Sequence, residues 1–496
     1  MLKDATALNA VSQKARGLSD APAHRVWADV ASMYQAGEFK EARAACQTLL
    51  RSKPTDNSVV HYLGLAAFQS GCLEDASHLL ESAIKLNSDI AAYHYDLGCV
   101  YLHLGQFNAA IDAYLEAVRL DPKHVATHNY LGGALHYQGR LDEAVVYLQK
   151  AIALKPDYAE AYYNLGNTFK DLGKLEEAVS SYQEAVTAKP DYADAYYNLG
   201  NTLKVQGKQD EAIACYRKVL SLESDFVEAR INMGHALQNL RKLDKAIACY
   251  RNALAHHPDN AMAHYNLGIV FSDQGKAEEA MACYHKALAL KPDYAEAYIG
   301  IGGALIAQSK PDKAVISYYK ALSLKPDFAE AHCNLGIALQ ILGKLDAATE
   351  HLHKAVSLKP DYAEAHIGLA AVYMDRGQFD AAQAALSKAL EFQEEHPMAW
   401  AMLIGIRKMT LEDESLLNTA LRLAFKPTLA EKDKCTLQFA IGKYYDDTGQ
   451  FDLAFSSYQQ ANALKRQREG AFGRAGFSRL IDTLIATYSA DFIGRQ

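Results

Sequence analysis

The sequence predicts an all-α fold, a solenoid of stacked, antiparallel helix pairs, and two regularities predict it. Glycine returns every 34 residues, at Gly64, Gly98, Gly132, Gly166, Gly200, Gly234, Gly268, Gly302 and Gly336. Alanine fills the twentieth place of every 34-residue unit, at Ala42, Ala76, Ala110, Ala144, Ala178, Ala212, Ala246, Ala280, Ala314, Ala348, Ala382 and Ala454. Such a fixed phase is typical of repeat architectures and not of an ordinary helical bundle.

Each unit predicts two helices, as residues 159–192 illustrate. The first helix runs roughly from Ala159 to Leu172, and Gly173 supplies a left-handed residue that ends it. An apolar stripe at helical spacing marks the second helix: Leu175, Ala178, Val179, Tyr182, Ala185 and Val186. Pro190 ends this helix, because proline cannot continue it. Small residues at places eight, twenty and twenty-seven let the two helices approach closely.

The units divide the chain into five segments. A polar N-terminal segment covers 1–22, and eleven consecutive repeats cover 23–396. A helical insertion covers 397–434, a twelfth repeat covers 435–468, and a linker with an amphipathic helix at 477–488 covers 469–496. Below, repeats are numbered one to twelve, and a position is a place within the 34-residue unit.

The insertion contains two capping-box-like helix starts, Thr410-x-x-Asp413 and Thr428-x-x-Glu431. Between them lies an apolar helical face that ends at Pro427: Leu416, Leu417, Ala420, Leu421 and Leu423. We expect the second start to run on into the first helix of repeat twelve. We also expect the amphipathic helix 477–488 to dock on that repeat.

Composition excludes several classes of function. A net charge of −8 and a pI of about 6.1 disfavour nonspecific binding to nucleic acid or to an anionic membrane. The apolar stretches are shorter than the ~20 residues of a membrane span, and no secretion signal is visible at the N-terminus. Eight scattered cysteines without a C-x-x-C motif favour a reduced, cytoplasmic setting.

Candidate catalytic chemistry is weak. Histidine recurs at position four, which favours a packing role: His94, His128, His264, His332 and His366. His351 and His353 are two residues apart on a helix and therefore point to different faces. Gly470-x-x-Gly473-x-x-Gly476 follows no strand, which argues against a phosphate loop. We expect no enzyme activity, no metal and no cofactor.

The 34-residue period, the small–large–small spacing and the proline near the end of most units, which Ser88 and Ser224 replace in two of them, resemble the tetratricopeptide repeat family. This resemblance implies a right-handed superhelix whose groove is lined by the first helix of each repeat. Departures from the pattern are local. Arg241 and Ser309, for example, replace the turn glycine.

Asparagines line the implied groove. Position six carries Asn164, Asn198, Asn232, Asn266 and Asn334, and position nine carries Asn167 and Asn201. A side-chain amide both donates and accepts, so a row of amides can hold the backbone of an extended peptide. The row resembles the asparagine ladder of O-GlcNAc transferases. The alternative is structural, since asparagine is common at these family positions and can bond between neighbouring helices.

Four further residues complete the candidate groove: Tyr163 and Tyr197 at position five, and Lys170 and Lys204 further along the first helices. The carboxylate clamp of chaperone-binding relatives requires lysine at positions two and five. Position two instead carries acids in repeats five to seven: Glu160, Asp194 and Glu228. A receptor for chaperone tails is therefore disfavoured.

The C-terminal part has a second resemblance. Phe439–Gly449, Asn462–Arg466 and Tyr488–Phe492 are similar to the region before the catalytic domain of bacterial tetratricopeptide–sulfotransferase proteins. The family's donor-binding loop has no counterpart before Gln496, so no transferase activity is carried over. We expect a non-catalytic scaffold that binds a protein or an extended peptide. The alternatives are a recruiting arm of such a transferase and self-association through the array ends.

Overall fold

The computed structural model describes residues 30, 32, 33, 36–52 and 56–469, and every regular element among them is helical. The described residues divide into two compact units, one up to His256 and one from His257 onward. None of the helices in the described ranges is long and apolar enough to span a membrane.

The first unit is a run of consecutive helices joined by short turns. Its described helices are α1 (Phe39–Ser52), α2 (Asn57–Gln69), α3 (Leu73–Leu86), α4 (Ala91–His103), α5 (Phe107–Leu120), α6 (Val125–Tyr137), α7 (Leu141–Leu154), α8 (Ala159–Asp171), α9 (Leu175–Ala188), α10 (Ala193–Val205), α11 (Gln209–Leu222), α12 (Val227–Asn239) and α13 (Leu243–His256). Each helix packs on the helices before and after it, which is the arrangement of a solenoid.

The second unit continues the same alternation and then departs from it. Its helices are α14 (Ala261–Asp273), α15 (Ala277–Leu290), α16 (Ala295–Ala307), α17 (Pro311–Leu324), α18 (Ala329–Ile341), α19 (Leu345–Leu358), α20 (Ala363–Asp375), α21 (Phe379–Phe392), α22 (Pro397–Gly405), α23 (Glu414–Ala424), α24 (Glu431–Asp447) and α25 (Phe451–Glu469). The predicted all-α solenoid of helix pairs is confirmed in the described part of each unit.

The turn inside a repeat ends the first helix as the sequence predicts. In repeat five α8 ends at Asp171, and Gly173 takes φ +75°, in the left-handed region that glycine adopts without a Cβ clash. The backbone N–H of Lys174 then donates to the carbonyl of Phe169 at 2.9 Å, which satisfies an end carbonyl of the helix. Arg241 and Ser309 hold the same turn with φ 57° and 58°, although neither is glycine.

Close packing of large on small residues explains the period of the small residues. In repeat five the ring of Tyr182 lies so close to Gly166 that a Cβ added there would be 2.6 Å from its Cδ1 atom. Ala178 and Ala185 are fully buried in the same interface. Because interiors are close-packed, a larger side chain at any of these positions would push the helices apart.

The insertion confirms one predicted helix start and corrects the other. Thr410 and Asp413 form a capping box that leads through a 3-10 turn, Leu411–Asp413, into α23. The capping box predicted at Thr428 is wrong, because Thr428 lies in the turn after Pro427 and α24 begins at Glu431 behind Ala430. As predicted, α24 runs on into repeat twelve. The amphipathic segment 477–488 lies outside the described residues.

Candidate functional site

Side-chain amides of adjacent first helices bond to each other in the first unit. Asn198 on α10 uses its Nδ2 group twice, donating to the Tyr163 hydroxyl at 3.1 Å and to Asn167 Oδ1 at 3.0 Å. The Tyr182 hydroxyl donates to that same Oδ1 atom at 2.7 Å. These four side chains therefore form one network that joins repeat five to repeat six.

The network recurs one repeat further along. Asn232 on α12 donates from Nδ2 to the Tyr197 hydroxyl at 3.0 Å and to Asn201 Oδ1 at 2.9 Å. The Tyr216 hydroxyl donates to Asn201 Oδ1 at 2.8 Å. Both networks use positions five, six, nine and twenty-four in the same roles. These asparagines therefore form hydrogen bonds between neighbouring first helices.

These bonds fix which amide atoms remain for a ligand. Both hydrogens of Asn198 Nδ2 are donated within the chain, which leaves its Oδ1 as the atom it can offer. Asn167 Oδ1 already accepts two hydrogen bonds and its amide also hydrogen-bonds the Tyr163 hydroxyl, which leaves one hydrogen of Asn167 Nδ2 as a donor. Position six therefore offers an acceptor at Asn198 and position nine a donor at Asn167, whereas Asn232 Oδ1, one repeat further on, already accepts from Lys204 Nζ.

The tyrosines of the network are held as neutral donors and acceptors. Burial raises the pKa of Tyr163, and hydrogen bonds from Asn167 and Asn198 only partly oppose this. Burial likewise raises the pKa of Tyr182 and Tyr216. Their hydroxyls therefore stay protonated at neutral pH and keep the amides in one orientation.

A cavity of about 290 Å³ opens beside the first network. Three predicted asparagines and one predicted lysine line it together with residues that the sequence did not single out: Asn164, Asn167, Asn198 and Lys170 with Gly133, His136, Tyr137 and Asp171. The ring of His136 lies 2.9 Å, through Nε2, from Asp171 Oδ2, and Lys170 Nζ lies 3.9 Å from Asp171 Oδ1. Its wall therefore combines amides with a paired acid and base.

Some of these residues had a detectable signal. His136 and Asp171 are 35 residues apart, which places them on adjacent first helices with complementary charge. Asn129 stands at position five of repeat four, where later repeats carry tyrosine, and its Oδ1 accepts from Asn164 at 3.0 Å. Reading positions in pairs across the repeats, instead of one column at a time, would have found both.

The second unit does not repeat the amide pair. Asn266 and Asn334 lie half-buried on α14 and α18, as predicted for the first helices. In repeats eight, nine and ten, position nine carries Ile269, Gly303 and Ile337. The hydrogen bond that Asn198 donates to Asn167 therefore has no equivalent in these repeats. The predicted site residues therefore fall into two sets, and the first unit holds the networked one.

The periodic histidines are structural, as the sequence predicts. The periodic histidines are His94, His128, His264, His332 and His366. In each of them the ring Nε2 atom lies 2.9–3.1 Å from the backbone carbonyl oxygen of the residue six positions earlier. His351 and His353 face different neighbours, His332 and Tyr373. Within the described ranges, no group of three or more His, Cys, Asp or Glu side chains is placed to hold a metal ion.

The geometry is that of an all-α repeat protein with a polar groove, and sequence comparison gives the family. Profiles described as TPR repeat match residues 132–173, 166–207, 270–309 and 302–343. Profiles described as tetratricopeptide repeat match residues 62–125, 193–226, 231–284, 339–404 and 436–468. The chain belongs to the tetratricopeptide repeat family, and its class of function is that of a protein-binding scaffold.

Solved structures provide more distant comparisons. One is YrrB, described as a TPR protein with an unusual peptide-binding site, at 25% identity and TM-score 0.35 over 40% of this chain and 99% of that one. MamA matches at 27% identity and TM-score 0.32 over 34% of this chain and 92% of that one. Yeast Tom70 matches at 13% identity and TM-score 0.42 over 87% of this chain and 99% of that one.

The finer resemblances stay predictions. The matching profiles describe the repeats and not a transferase. Of the segments that carry the sulfotransferase resemblance, Phe439–Gly449 lies on α24 and its following turn, whereas Tyr488–Phe492 lies outside the described residues. The polar N-terminal segment 1–22, on which self-association through the array ends depends, also lies outside them.

Proposed function

We propose that the chain binds an extended segment of a partner protein along the first helices of repeats four to seven. The observation that carries the proposal is the fixed alternation of an open acceptor at Asn198 and an open donor at Asn167. A peptide backbone presents donors and acceptors in alternation too. Side-chain amides that face it in a fixed orientation can therefore bind it whatever its side chains are.

The structure changes how this proposal should be tested. Replacing Asn198 with alanine would remove one internal hydrogen bond from Tyr163 and one from Asn167, so lost binding and lost stability would be confounded. Asn167→Asp and Asn201→Asp avoid this problem. Aspartate keeps an oxygen for the internal bonds from Tyr182 and Tyr216, and it replaces the outward donor with an acceptor.

The probe is a library of random ten-residue peptides with acetylated and amidated ends, selected on the purified chain and measured by fluorescence anisotropy. A net hydrogen bond contributes about 0.5–1.5 kcal/mol, so losing two should weaken the selected peptides roughly 5- to 150-fold. N-methylation of the contacted peptide amides should weaken binding to the native chain in the same way, since it blocks the hydrogen bonds that those amides donate.

The matched control is Gln149→Glu with Gln183→Glu, which makes the same change of charge on exposed residues of the second helices α7 and α9. This control should bind like the native chain. Equal binding by both double variants would show that the position-nine amides do not touch the peptide. Failure to select any peptide on the native chain would contradict the proposed function itself.

A further inference from the structure

The network changes where repeat six meets repeat seven. Position nine of repeat seven is His235, whereas repeats five and six have asparagine there. Tyr250 takes the place of Tyr182 and Tyr216, with its ring packed in the same way against Gly234. Its side chain is fully buried, yet its hydroxyl has no hydrogen-bond partner in the structure. A buried hydroxyl without a partner costs free energy, so this one has a donor to offer.

Next to this position lies a cation that forms no ion pair with a carboxylate among the described residues. Lys204 on α10 is half-buried, and Nζ donates to Asn232 Oδ1 at 3.2 Å. No carboxylate in the described part of the chain forms an ion pair with it, and burial lowers its pKa. Lys170, one repeat earlier, is exposed and lies beside Asp171. A buried ammonium without a counter-charge is unfavourable, and an anion brought by a ligand would relieve that cost.

His235 faces the same charge. Lys204 and His235 lie on the neighbouring first helices α10 and α12, and partial burial and then the charge of Lys204 lower the pKa of the His235 ring. The ring is open to solvent on one side, where a ligand can reach it. Tyr182 and Tyr216 direct their hydroxyls to position nine, so by repeat equivalence Tyr250 is directed to His235, and Lys204 reaches Asn232 one turn earlier on the same helix.

We propose that Lys204, His235 and Tyr250 form a subsite for the side-chain carboxylate of an aspartate or glutamate in the bound segment. The proposal rests on the proposed function and adds a chemical class of ligand to it: an extended segment with an acidic residue at one fixed register. It uses positions twelve, nine and twenty-four. The proposed subsite therefore differs from the chaperone-tail clamp, which uses lysines at positions two and five. In repeat seven those two positions carry Glu228 and Ile231.

The test uses the same capped peptide library on the purified full chain. Peptides selected by the native chain should carry Asp or Glu at one register, and changing that residue to Asn or Gln should weaken binding about tenfold. Lys204→Gln should abolish the difference in affinity between the acidic peptide and its amide counterpart. Lys204→Glu should select Lys or Arg at that register. Lys170→Gln is the matched control and should keep the acidic preference.

Tyr250→Phe provides a second variant that does not depend on removing a charge. It should reduce binding of the acidic peptide more than binding of its amide counterpart, because a hydrogen bond to a charged carboxylate is stronger than one to a neutral amide oxygen. An acidic preference that survives in Lys204→Gln would overturn the subsite, as would selected peptides with no acidic register; in both cases peptide binding itself would stand. A preference seen only with a free C-terminal carboxylate, in a second library without amidation, would overturn the side-chain assignment.

Discussion

The Nδ1 atom of His332 lies 3.0 Å from the Nδ1 atom of His351, across the two helices of repeat ten. The ring N–H at Nε2 of His332 donates to the carbonyl of Pro326 at 3.0 Å, which leaves its Nδ1 as the acceptor. His351 must therefore donate, and the pair holds one proton between the two rings. Protonation of both rings would break the hydrogen bond and place two positive charges side by side.

This pair predicts a loss of stability in acid. Burial, and then the neighbouring His332, lower the pKa of His351 below its value of about 6.5 in an unfolded chain, and Glu350 only partly opposes this. The contribution of the His332–His351 pair to the free energy of unfolding is therefore present above about pH 6.5. It falls as the pH drops through that value, because the unfolded chain binds a proton at His351 more readily than the folded chain does. The melting temperature of the native chain should fall between pH 7.5 and 5.5.

The variant that tests this is His351→Phe, which keeps an aromatic ring on His332 but cannot titrate. Its fall in melting temperature over the same pH range should be smaller than that of the native chain. His353→Phe, an exposed change two residues away, should behave like the native chain. A fall of equal size in all three proteins would place the acid sensitivity elsewhere.

Adjacent glycines in α16 should respond in opposite directions to the same substitution. A Cβ on Gly302 would overlap the ring of Tyr318, whereas a Cβ on Gly303 meets nothing within 4 Å. Gly302→Ala should destabilise by roughly 1–3 kcal/mol through overpacking. Gly303→Ala should stabilise by about 0.8–1.0 kcal/mol through helix propensity. Thermal unfolding of both variants measures the difference, and a shift of the same sign in both would contradict the packing of Tyr318.

The two non-glycine turns should be improved by glycine. Ser309 and Arg241 have φ 58° and 57°, where an L side chain costs roughly 1–2 kcal/mol. Ser309→Gly and Arg241→Gly should therefore each raise the midpoint of urea unfolding. Gly275→Ser is the reverse change at an equivalent turn, with φ 73°, and should lower it. No change in any of the three would mean that this turn relaxes at no cost.

Two equivalent tyrosines should differ when each loses its hydroxyl. The Tyr216 hydroxyl bonds to Asn201, so Tyr216→Phe should destabilise by about 0.5–1.5 kcal/mol. The Tyr250 hydroxyl is buried and has no hydrogen-bond partner within the described part of the chain, so Tyr250→Phe should be neutral or stabilising. Hydrogen exchange of α10 to α13 localises both effects. Equal destabilisation would show that Tyr250 has a partner, such as a bound water.

Much of the fold can be predicted from the sequence because one packing rule is repeated. Gly166 and Tyr182 recur in register along the chain, so a single helix pair defines the others. The start at Thr428 was mispredicted because its capping motif competes with Pro427, which fixes the local turn. A motif of four residues cannot tell which of two neighbouring signals wins.

The candidate site is only partly visible in the sequence. A column of asparagines predicts the residues but not their orientation, which depends on Tyr163 and Tyr182 in other columns. The lack of a counter-charge at Lys204 is a property of three-dimensional neighbours, and no single column records it. For the same reason the pairing of His136 with Asp171 depends on two adjacent first helices and is not a property of one column.

The bond from Asn198 to Asn167 also bears on how such a gene can change over time. Asn232 occupies the place of Asn198, and Asn201 occupies the place of Asn167, so the partners are interchangeable. Loss of residues 193–226 by recombination would set Asn232 against Tyr163 and Asn167 and restore the same contacts. Deletion or insertion of 34 codons here would therefore shorten or lengthen the proposed binding surface and keep the same contacts at the junction, so that copy number would set the length of that surface.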